Sequence, residues 1–249
     1  ALQVDSDRAN GDQTSTAYSG YRSTDPVLKT GTLFKQALKG LAPTAKLVKG
    51  SLPKGAVELT SVVSQPITTW MAHAIGISDN TETEFIARHA AKAAGLEPSF
   101  ASVEPMVKSM LSGLGIDSSQ LVMKDASGLA QANRVTPKMI TELMVKVAQG
   151  NNGVAPLESY LPVAGVGPGS MGGRFTGANA VARKFVKGKT GFIPGLYSLA
   201  GIINAKDGSR LAYSIFARSA DGKKVGWSTR GALDTVATRF YSCGAGLGL

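Results

Sequence analysis

The stretch Leu196-Tyr-Ser-Leu-Ala-Gly-Ile-Ile-Asn204 is an apolar run with the length of one strand. A strand is also predicted before it, at Arg183–Gly191, and another after it, at Arg210–Ala217. The connection Lys206-Asp-Gly-Ser209 places Asp-Gly between apolar runs, which is typical of a hairpin turn. The sequence therefore predicts three consecutive strands of an antiparallel sheet.

Amphipathic helices are predicted on both sides of this sheet in the chain. Apolar residues recur at helical spacing in four segments between residues 66 and 150, and a closing helix is expected at Gly226–Ser242. Asp25-Pro26 predicts one more helix near the start, because Asp caps helices and Pro suits their first turn. Helices, then a sheet, then a terminal helix is the order of an α+β fold and not of a parallel α/β fold.

Two further segments carry weaker signals. Val57, Leu59 and Val63 lie on one side of an alternating run, which predicts a strand at Ala56–Ser64. Residues 150 to 180 are rich in glycine, which predicts a long surface loop at the edge of a site.

Composition and charge exclude several classes of protein. The 27 Lys and Arg residues against 17 Asp and Glu give a net charge of +10, but they are scattered and only 6% of residues are aromatic. We therefore expect no nucleic-acid partner. An anionic polymer or a carboxylate substrate would explain the positive net charge as well as a nucleic acid would. No apolar run reaches the roughly 18 residues of a transmembrane segment. One cysteine excludes an internal disulfide, and two histidines leave little for a metal site, so no metal is expected.

The motif Lys189-Thr190-Gly191 has two interpretations. It resembles the end of a phosphate-binding loop, but Arg183 stands where that pattern needs glycine, and a strand follows instead of a helix. At the end of a strand, a Lys ammonium and a Thr hydroxyl can hold a carboxylate together, and the glycine leaves the strand edge open to a substrate backbone. Taken alone, the tripeptide is also compatible with a solvated surface lysine.

The tripeptide Ser78-Asp79-Asn80 lies between two predicted helices, where a helix stop and cap would explain it equally well. The ordered set of motifs is more specific. After it come Asp125-Ala-Ser-Gly-Leu129, Asn133-Arg-Val-Thr-Pro137, Leu161-Pro-Val-Ala-Gly-Val166, Gly188-Lys-Thr-Gly191 and Gly195-Leu-Tyr-Ser-Leu-Ala-Gly201. From about residue 22 to the C-terminus, this order resembles the D-alanyl-D-alanine carboxypeptidase/endopeptidase family of low-molecular-mass class C penicillin-binding proteins. The family usually has glycine where this chain has Ala126.

The resemblance implies a penicillin-binding, β-lactamase-like transpeptidase fold with a helical subdomain and an antiparallel sheet flanked by helices. It also implies a serine-type carboxypeptidase that cleaves peptidoglycan stem peptides ending in D-Ala-D-Ala through an acyl-enzyme and is inhibited by β-lactams. This chemistry needs only side chains, so no cofactor is expected. Such an enzyme would be exported to the periplasm, the cell envelope or the extracellular space.

The resemblance also implies roles for individual residues. Ser78 would pass a proton to the leaving D-alanine amine, and Asn80 would hold the peptide amide of the donor. Lys189 and Thr190 would bind the terminal carboxylate beside Gly191, and Lys189 would add a positive potential that favours a neutral catalytic lysine. The backbone N–H of Phe192 would form half of an oxyanion hole.

The first motif of the family, S-x-x-K at the start of an apolar helix, has no convincing counterpart. Ser51-Leu-Pro-Lys54 is the only literal match before Ser78, but Pro53 and Gly55 disfavour the required helix. We therefore expect the nucleophile on an N-terminal segment outside this chain. Residues 1–22 would be the tail of an inserted region or a linker, and residues 23–249 the C-terminal portion of the peptidase domain. The alternative is a non-catalytic remnant of this fold that binds peptidoglycan or a partner.

Overall fold

The three predicted strands form one antiparallel sheet in the computed structural model. Strands β1 (Val186–Ile193), β2 (Leu196–Asn204) and β3 (Arg210–Arg218) lie in the order β1-β2-β3. Lys189 lies opposite Ala200 on β2, and the β2–β3 connection is the turn predicted from Asp-Gly. The predicted sheet is confirmed, with shifts of only a few residues at the strand ends.

The structure describes residues 7–8, 22–150, 153–220 and 225–248. The chain divides into two compact units, Ala1–Gln65 and Pro66–Leu249. The predicted boundary between residues 22 and 23 stays a prediction.

The helices follow the predicted segments closely, except for a short helix at Leu157–Tyr160 that the sequence did not predict. They are α1 (Pro26–Ala37), α2 (Ile67–Ile77), α3 (Asn80–Ala93), α4 (Val103–Gly113), α5 (Pro137–Ala148), α6 (Leu157–Tyr160) and α7 (Thr229–Cys243). Asp25, the predicted cap of α1, accepts a hydrogen bond from the backbone N–H of Leu28, and Thr136 caps α5 by accepting one from the N–H of Met139. The α+β class is therefore confirmed. Among the residues described, no helix combines the length and apolar character needed to cross a bilayer.

Both faces of the sheet are covered within the second unit. On one face Val186, Leu199 and Ile203 pack with Leu233 and Ala237 of α7. On the other face Ile202 packs with Met144 and Val147 of α5 and with Leu161. Because side chains alternate along a strand, Lys189 projects on the α5 face and Thr190 on the α7 face.

The glycine-rich region between residues 150 and 180 is not simply the surface loop that the sequence predicts. It contains α6 and a 3₁₀ segment, Gly177–Ala182. Met171 and Phe175 are completely buried and join the core between the sheet and α7. The prediction was wrong because glycine frequency reports backbone freedom, whereas burial here is set by two large apolar side chains.

In the first unit, the strand predicted at Ala56–Ser64 is absent from the structure. Residues 45 to 65 contain no helix or strand, and the side chains of Val57, Leu59 and Val63 are 80%, 93% and 92% exposed. The alternating pattern was correct for a strand, but a strand needs a neighbour for its backbone hydrogen bonds. No neighbour reaches this segment among the described residues of the unit.

Candidate active site

Two of the predicted site residues meet across the second unit. The Nζ of Lys189 on β1 donates a hydrogen bond of 2.7 Å to the Oγ of Ser78, which follows α2. The same ammonium donates to the carbonyl oxygen of Thr190 at 2.8 Å. Residues 111 positions apart are thus joined directly, as the roles implied for both residues in one active site require.

The corner between α2 and α3 presents the Ser78 hydroxyl through an uncommon backbone conformation. Ser78 has φ 62° and ψ 46°, a left-handed conformation that ends α2. Its own N–H and that of Asp79 both donate to the carbonyl of Ala74. A non-glycine residue in this region is uncommon and is held there by its surroundings, which points to a functional constraint.

Asp79 and Asn80 complete the corner in different ways. Asp79 is buried and caps α3, because its carboxylate accepts a hydrogen bond of 2.9 Å from the N–H of Glu82. Asn80, predicted to contact the substrate amide, is the first residue of α3 and is half-buried. The middle residue of the motif therefore has a structural task, and the roles of Ser78 and Asn80 stay predictions.

A polar pair braces the corner from the side. The Nδ1 of His73 on α2 lies 2.6 Å from Oε2 of Glu82 on α3. This contact ties the two helices together one to two turns away from Ser78. The sequence does not indicate this pair, because eight intervening residues and a helix corner separate His73 from Glu82.

The strand edge carrying Lys189 is half covered. The N–H of Gly188 donates to the carbonyl of Pro162 at 2.9 Å, and the carbonyl of Val186 accepts from the N–H of Ala164 at 2.9 Å. Backbone groups alternate in direction along a strand, so those of Thr190 and Phe192 point to this same outer edge. The predicted oxyanion donor, the N–H of Phe192, is therefore aimed away from β2. Its ring packs on Tyr197 with centroids 4.6 Å apart.

The structure gives a different reason for glycine at position 191 from the one that the sequence predicts. A Cβ at this position would collide with the hydroxyl of Ser198, the residue opposite on β2. The glycine lets that side chain lie flat against β1. An open edge for a substrate backbone stays a prediction for this residue.

Burial lowers the pKa of Lys189 from its usual 10.5 to about 8. The cause is desolvation, which penalises the charged amine. At neutral pH the ammonium form still predominates, but the neutral amine is accessible at small cost. A lysine poised in this way can both hold an anion and take part in proton transfer.

A second loop is tied to the corner through α3. Glu84 accepts hydrogen bonds from the N–H groups of Ala126 and Ser127 at 2.8 and 2.9 Å and pairs with Arg88. Asp125, the first residue of that loop, is buried and accepts from the N–H of Gly128. Sequence reasoning found this loop as a motif but missed Glu84, which lies 42 residues away from its partner Ala126.

Comparison with known proteins decides the family. A profile described as the D-Ala-D-Ala carboxypeptidase 3 (S13) family matches residues 10–240. The chain belongs to this family. It is 33% identical over 235 residues to carboxypeptidase DacB of Mycolicibacterium smegmatis, covering 93% of this chain and 49% of that protein. It is 32% identical to a carboxypeptidase of Mycobacterium tuberculosis, covering 92% of this chain and 49% of that protein.

The fold of this S13 chain is also that of a solved relative. Penicillin-binding protein 4 of Haemophilus influenzae, crystallised with a β-lactam, superposes with a TM-score of 0.75 at 22% identity. The superposition covers 90% of this chain and 53% of that one. The predicted penicillin-binding fold is confirmed. The chain spans about half the length of the curated relatives it matches.

Proposed function

We propose that this chain supplies the carboxylate-binding and proton-transfer side of the active site of a serine-type D-Ala-D-Ala carboxypeptidase. The single observation that carries the proposal is the hydrogen bond of 2.7 Å between Lys189 and Ser78. It joins two family motifs at one point, where a partly desolvated cation touches a hydroxyl held in a left-handed corner.

The direction of this hydrogen bond supports the role proposed for Ser78. Because the lysine Nζ donates to Ser78 Oγ, the hydroxyl proton of Ser78 is free to point elsewhere. In the proposed reaction the nucleophilic serine loses its proton to the neutral catalytic lysine and forms an ester bond to the carbonyl carbon. The C–N bond to the terminal D-alanine breaks, and Ser78 delivers its proton to the departing amine. The neighbouring ammonium offsets the negative charge that develops on Oγ during this transfer.

The Nζ of Lys189 reaches the Thr190 carbonyl at the outer edge of β1. At that edge Lys189 and Thr190 would hold the terminal carboxylate of the substrate from the two faces of the strand. A carboxylate beside the amine favours its charged form, so substrate binding should raise the pKa of Lys189 above the value of about 8 set by burial. The substrate backbone would lie along the outer edge of β1, with its scissile carbonyl at the N–H of Phe192. Asn80, which begins α3 beside Ser78, would hold the amide of the donor peptide.

The nucleophile is proposed to come from a part of the protein outside these 249 residues. The candidate Ser51 and Lys54 are exposed and lie in a segment without helix or strand, so their side chains are not held as an S-x-x-K helix would hold them. The coverage of about half of each curated relative is compatible with a nucleophile elsewhere.

The proposed substrates are peptidoglycan stem peptides ending in D-Ala-D-Ala, and the proposed inhibitors are β-lactams. Peptidoglycan lies outside the cytoplasmic membrane, so the protein would act after export, in the periplasm, the cell envelope or the extracellular space. No cofactor enters the proposed chemistry.

Labelling of the complete protein with a fluorescent penicillin tests this function. We expect labelling of a serine outside residues 1–249, and a loss of about 10²-fold in its rate for Lys189→Ala, since one preorganised electrostatic contact contributes that much. Lys206→Ala, which removes an exposed lysine of the β2–β3 turn, is the matched control and should label normally. A folded complete protein that takes no label, yet binds peptidoglycan equally well after Lys189→Ala, would favour the non-catalytic alternative.

A further inference from the structure

A single segment reaches both halves of the proposed site. We call residues 162–175 the strap. At its start, the carbonyl of Pro162 accepts from the N–H of Gly188, one residue before Lys189. The N–H of Ala164 donates to the carbonyl of Val186, and the N–H of Lys184 donates to the carbonyl of Ala164 at 2.9 Å. The strap therefore begins with an isolated antiparallel bridge, Val163 to Lys187, on the outer edge of β1.

The middle of the strap lies against the end of α2. A Cβ built on Gly169 would be 2.9 Å from the carbonyl oxygen of Gly76, closer than real Cβ contacts come. Gly76 is two residues before Ser78. Gly169 also has φ +102°, a conformation that side chains disfavour. The strap thus touches α2 backbone to backbone, immediately before the hydroxyl that Lys189 contacts.

The end of the strap is fixed to the core. Arg174 and Asp234 of α7 form a buried ion pair with Nη2–Oδ1 at 2.7 Å, and the N–H of Phe175 donates to the other carboxylate oxygen at 3.2 Å. Met171 and Phe175 are fully buried. Phe175 has φ +57°, which a bulky residue adopts only when its surroundings hold it. The end of the strap is therefore anchored to α7 and to the core.

We propose that the strap sets the separation between Ser78 and Lys189, with Gly169 as the positioning residue. The hydrogen bonds at the start of the strap fix the position of β1. The contact of Gly169 with Gly76 fixes the position of the end of α2. An added methyl group at Gly169 would press on the Gly76 carbonyl and move α2, because the strap is anchored to α7 and to the core. Only the catalytic consequence of this inference rests on the proposed function; the effect on the environment of Lys189 does not.

Moving α2 away would admit water to Lys189. The groups that face this amine are the Ser78 hydroxyl from the corner and the Thr190 carbonyl from β1. Lys187 projects on the same face of β1 but is paired with Glu158, and His73 on α2 is paired with Glu82. Hydration of the amine is thus the change that a displaced α2 introduces.

Gly169→Ala and Gly167→Ala form a matched pair for the test. Gly167 lies in the same strap with φ +67°, but a Cβ there has nothing within 4 Å. Both variants carry the strain of a side chain at positive φ, and only Gly169→Ala presses on α2. Both changes are made in the complete protein. The thermal unfolding temperature of each variant is the control that shows whether it folds.

The first readout is the reactivity of Lys189 with an amine-acylating reagent across pH, followed by mass spectrometry of its peptide. We expect its pKa to rise toward 10.5 in Gly169→Ala and to stay near 8 in Gly167→Ala. The second readout is the rate of acylation by fluorescent penicillin, which should fall about 10²-fold in Gly169→Ala, because a misplacement near 1 Å costs that much. Equal Lys189 titration in the two variants would overturn the inference, whether or not either one is acylated.

If Gly169→Ala does not fold, Met171→Leu gives a second test. This change keeps the apolar volume but alters the shape of a buried side chain by which the strap is anchored in the core. We expect the pKa of Lys189 to rise in Met171→Leu as well, by less than in Gly169→Ala. An unchanged Lys189 titration in folded Met171→Leu would contradict the proposal that the strap sets the separation between Ser78 and Lys189. If the titration shifts are as expected but the wild-type protein is not acylated by penicillin, only the proposed function is overturned.

Discussion

The two sides of the site are built from different kinds of interaction. Lys189 lies on β1, where Val186 of the same strand and Leu199 of the paired strand β2 are completely buried. Apolar packing therefore fixes the position of the strand that carries Lys189. Ser78 stands at a helix corner held by a cap from Asp79 and by the pair of His73 with Glu82, in a conformation that only its surroundings maintain. Apolar packing against a sheet gives a stiff side, and a few directional polar contacts give a side that can be adjusted.

A substitution in the sheet should produce the largest loss of stability. A Cβ on Gly201 of β2 would collide with the backbone carbonyl of Lys187 and lie 2.7 Å from the Cα of Gly188. Backbone cannot move aside, so Gly201→Ala should destabilise the chain by about 3 kcal/mol. The measurement is the free energy of unfolding in urea. Gly231→Ala on α7, where a Cβ meets nothing within 4 Å, is the control and should be neutral or slightly stabilising; equal losses would refute a stiff sheet.

Lys189 should make stability depend on pH. Its folded pKa of about 8 lies below 10.5, so the folded state is penalised while the amine is charged, and the penalty is relieved as pH rises from about 8 to 10.5. Lys189→Met removes it. The variant's gain in unfolding free energy over wild type should therefore be about 2 kcal/mol larger near pH 7 than near pH 9.5.

Lys206→Met serves as the reference for that measurement, because this lysine is exposed on the turn after β2. Its stability difference from wild type should be flat over the same pH range. A Lys189→Met difference that is equally flat would mean that the amine is hydrated in the folded chain.

A substitution at the corner should cost less stability but more activity. Asp79→Ala removes the cap of α3 and should destabilise by about 1 kcal/mol. It should also slow acylation by penicillin in the complete protein, because Ser78 loses the contact that holds its neighbour. Asp25→Ala removes an equivalent cap from α1 in the first unit and should lower stability without slowing acylation. Equal acylation by the two variants would show that the corner does not depend on its cap.

Much of this organisation could be predicted from the sequence where the signal is local. Asp25 and Thr136 mark helix starts because a cap acts within three residues, and Leu196–Asn204 pairs with its neighbours in sequence. That Ser78 and Lys189 belong to one site could be predicted only from the order of motifs in a family, because no local rule connects residues 111 positions apart.

The remaining features depend on partners distant in sequence. Ala56–Ser64 has the pattern of a strand but no neighbour among the described residues of its unit. Phe175 and Met171 are buried through contacts with the sheet and α7, which glycine-rich neighbours concealed. The lowered pKa of Lys189 is a product of its burial, and burial is known only after the chain is folded.

The most direct test of the central claim is a double-mutant cycle on acylation by penicillin in the complete protein, using Ser78→Ala, Lys189→Ala and the double variant. If the two side chains act as one unit through their hydrogen bond of 2.7 Å, each single change should slow acylation strongly and the double change should slow it little further. Losses that multiply would mean that the two residues act independently. Single variants that acylate at the wild-type rate would contradict the account of the site as a whole.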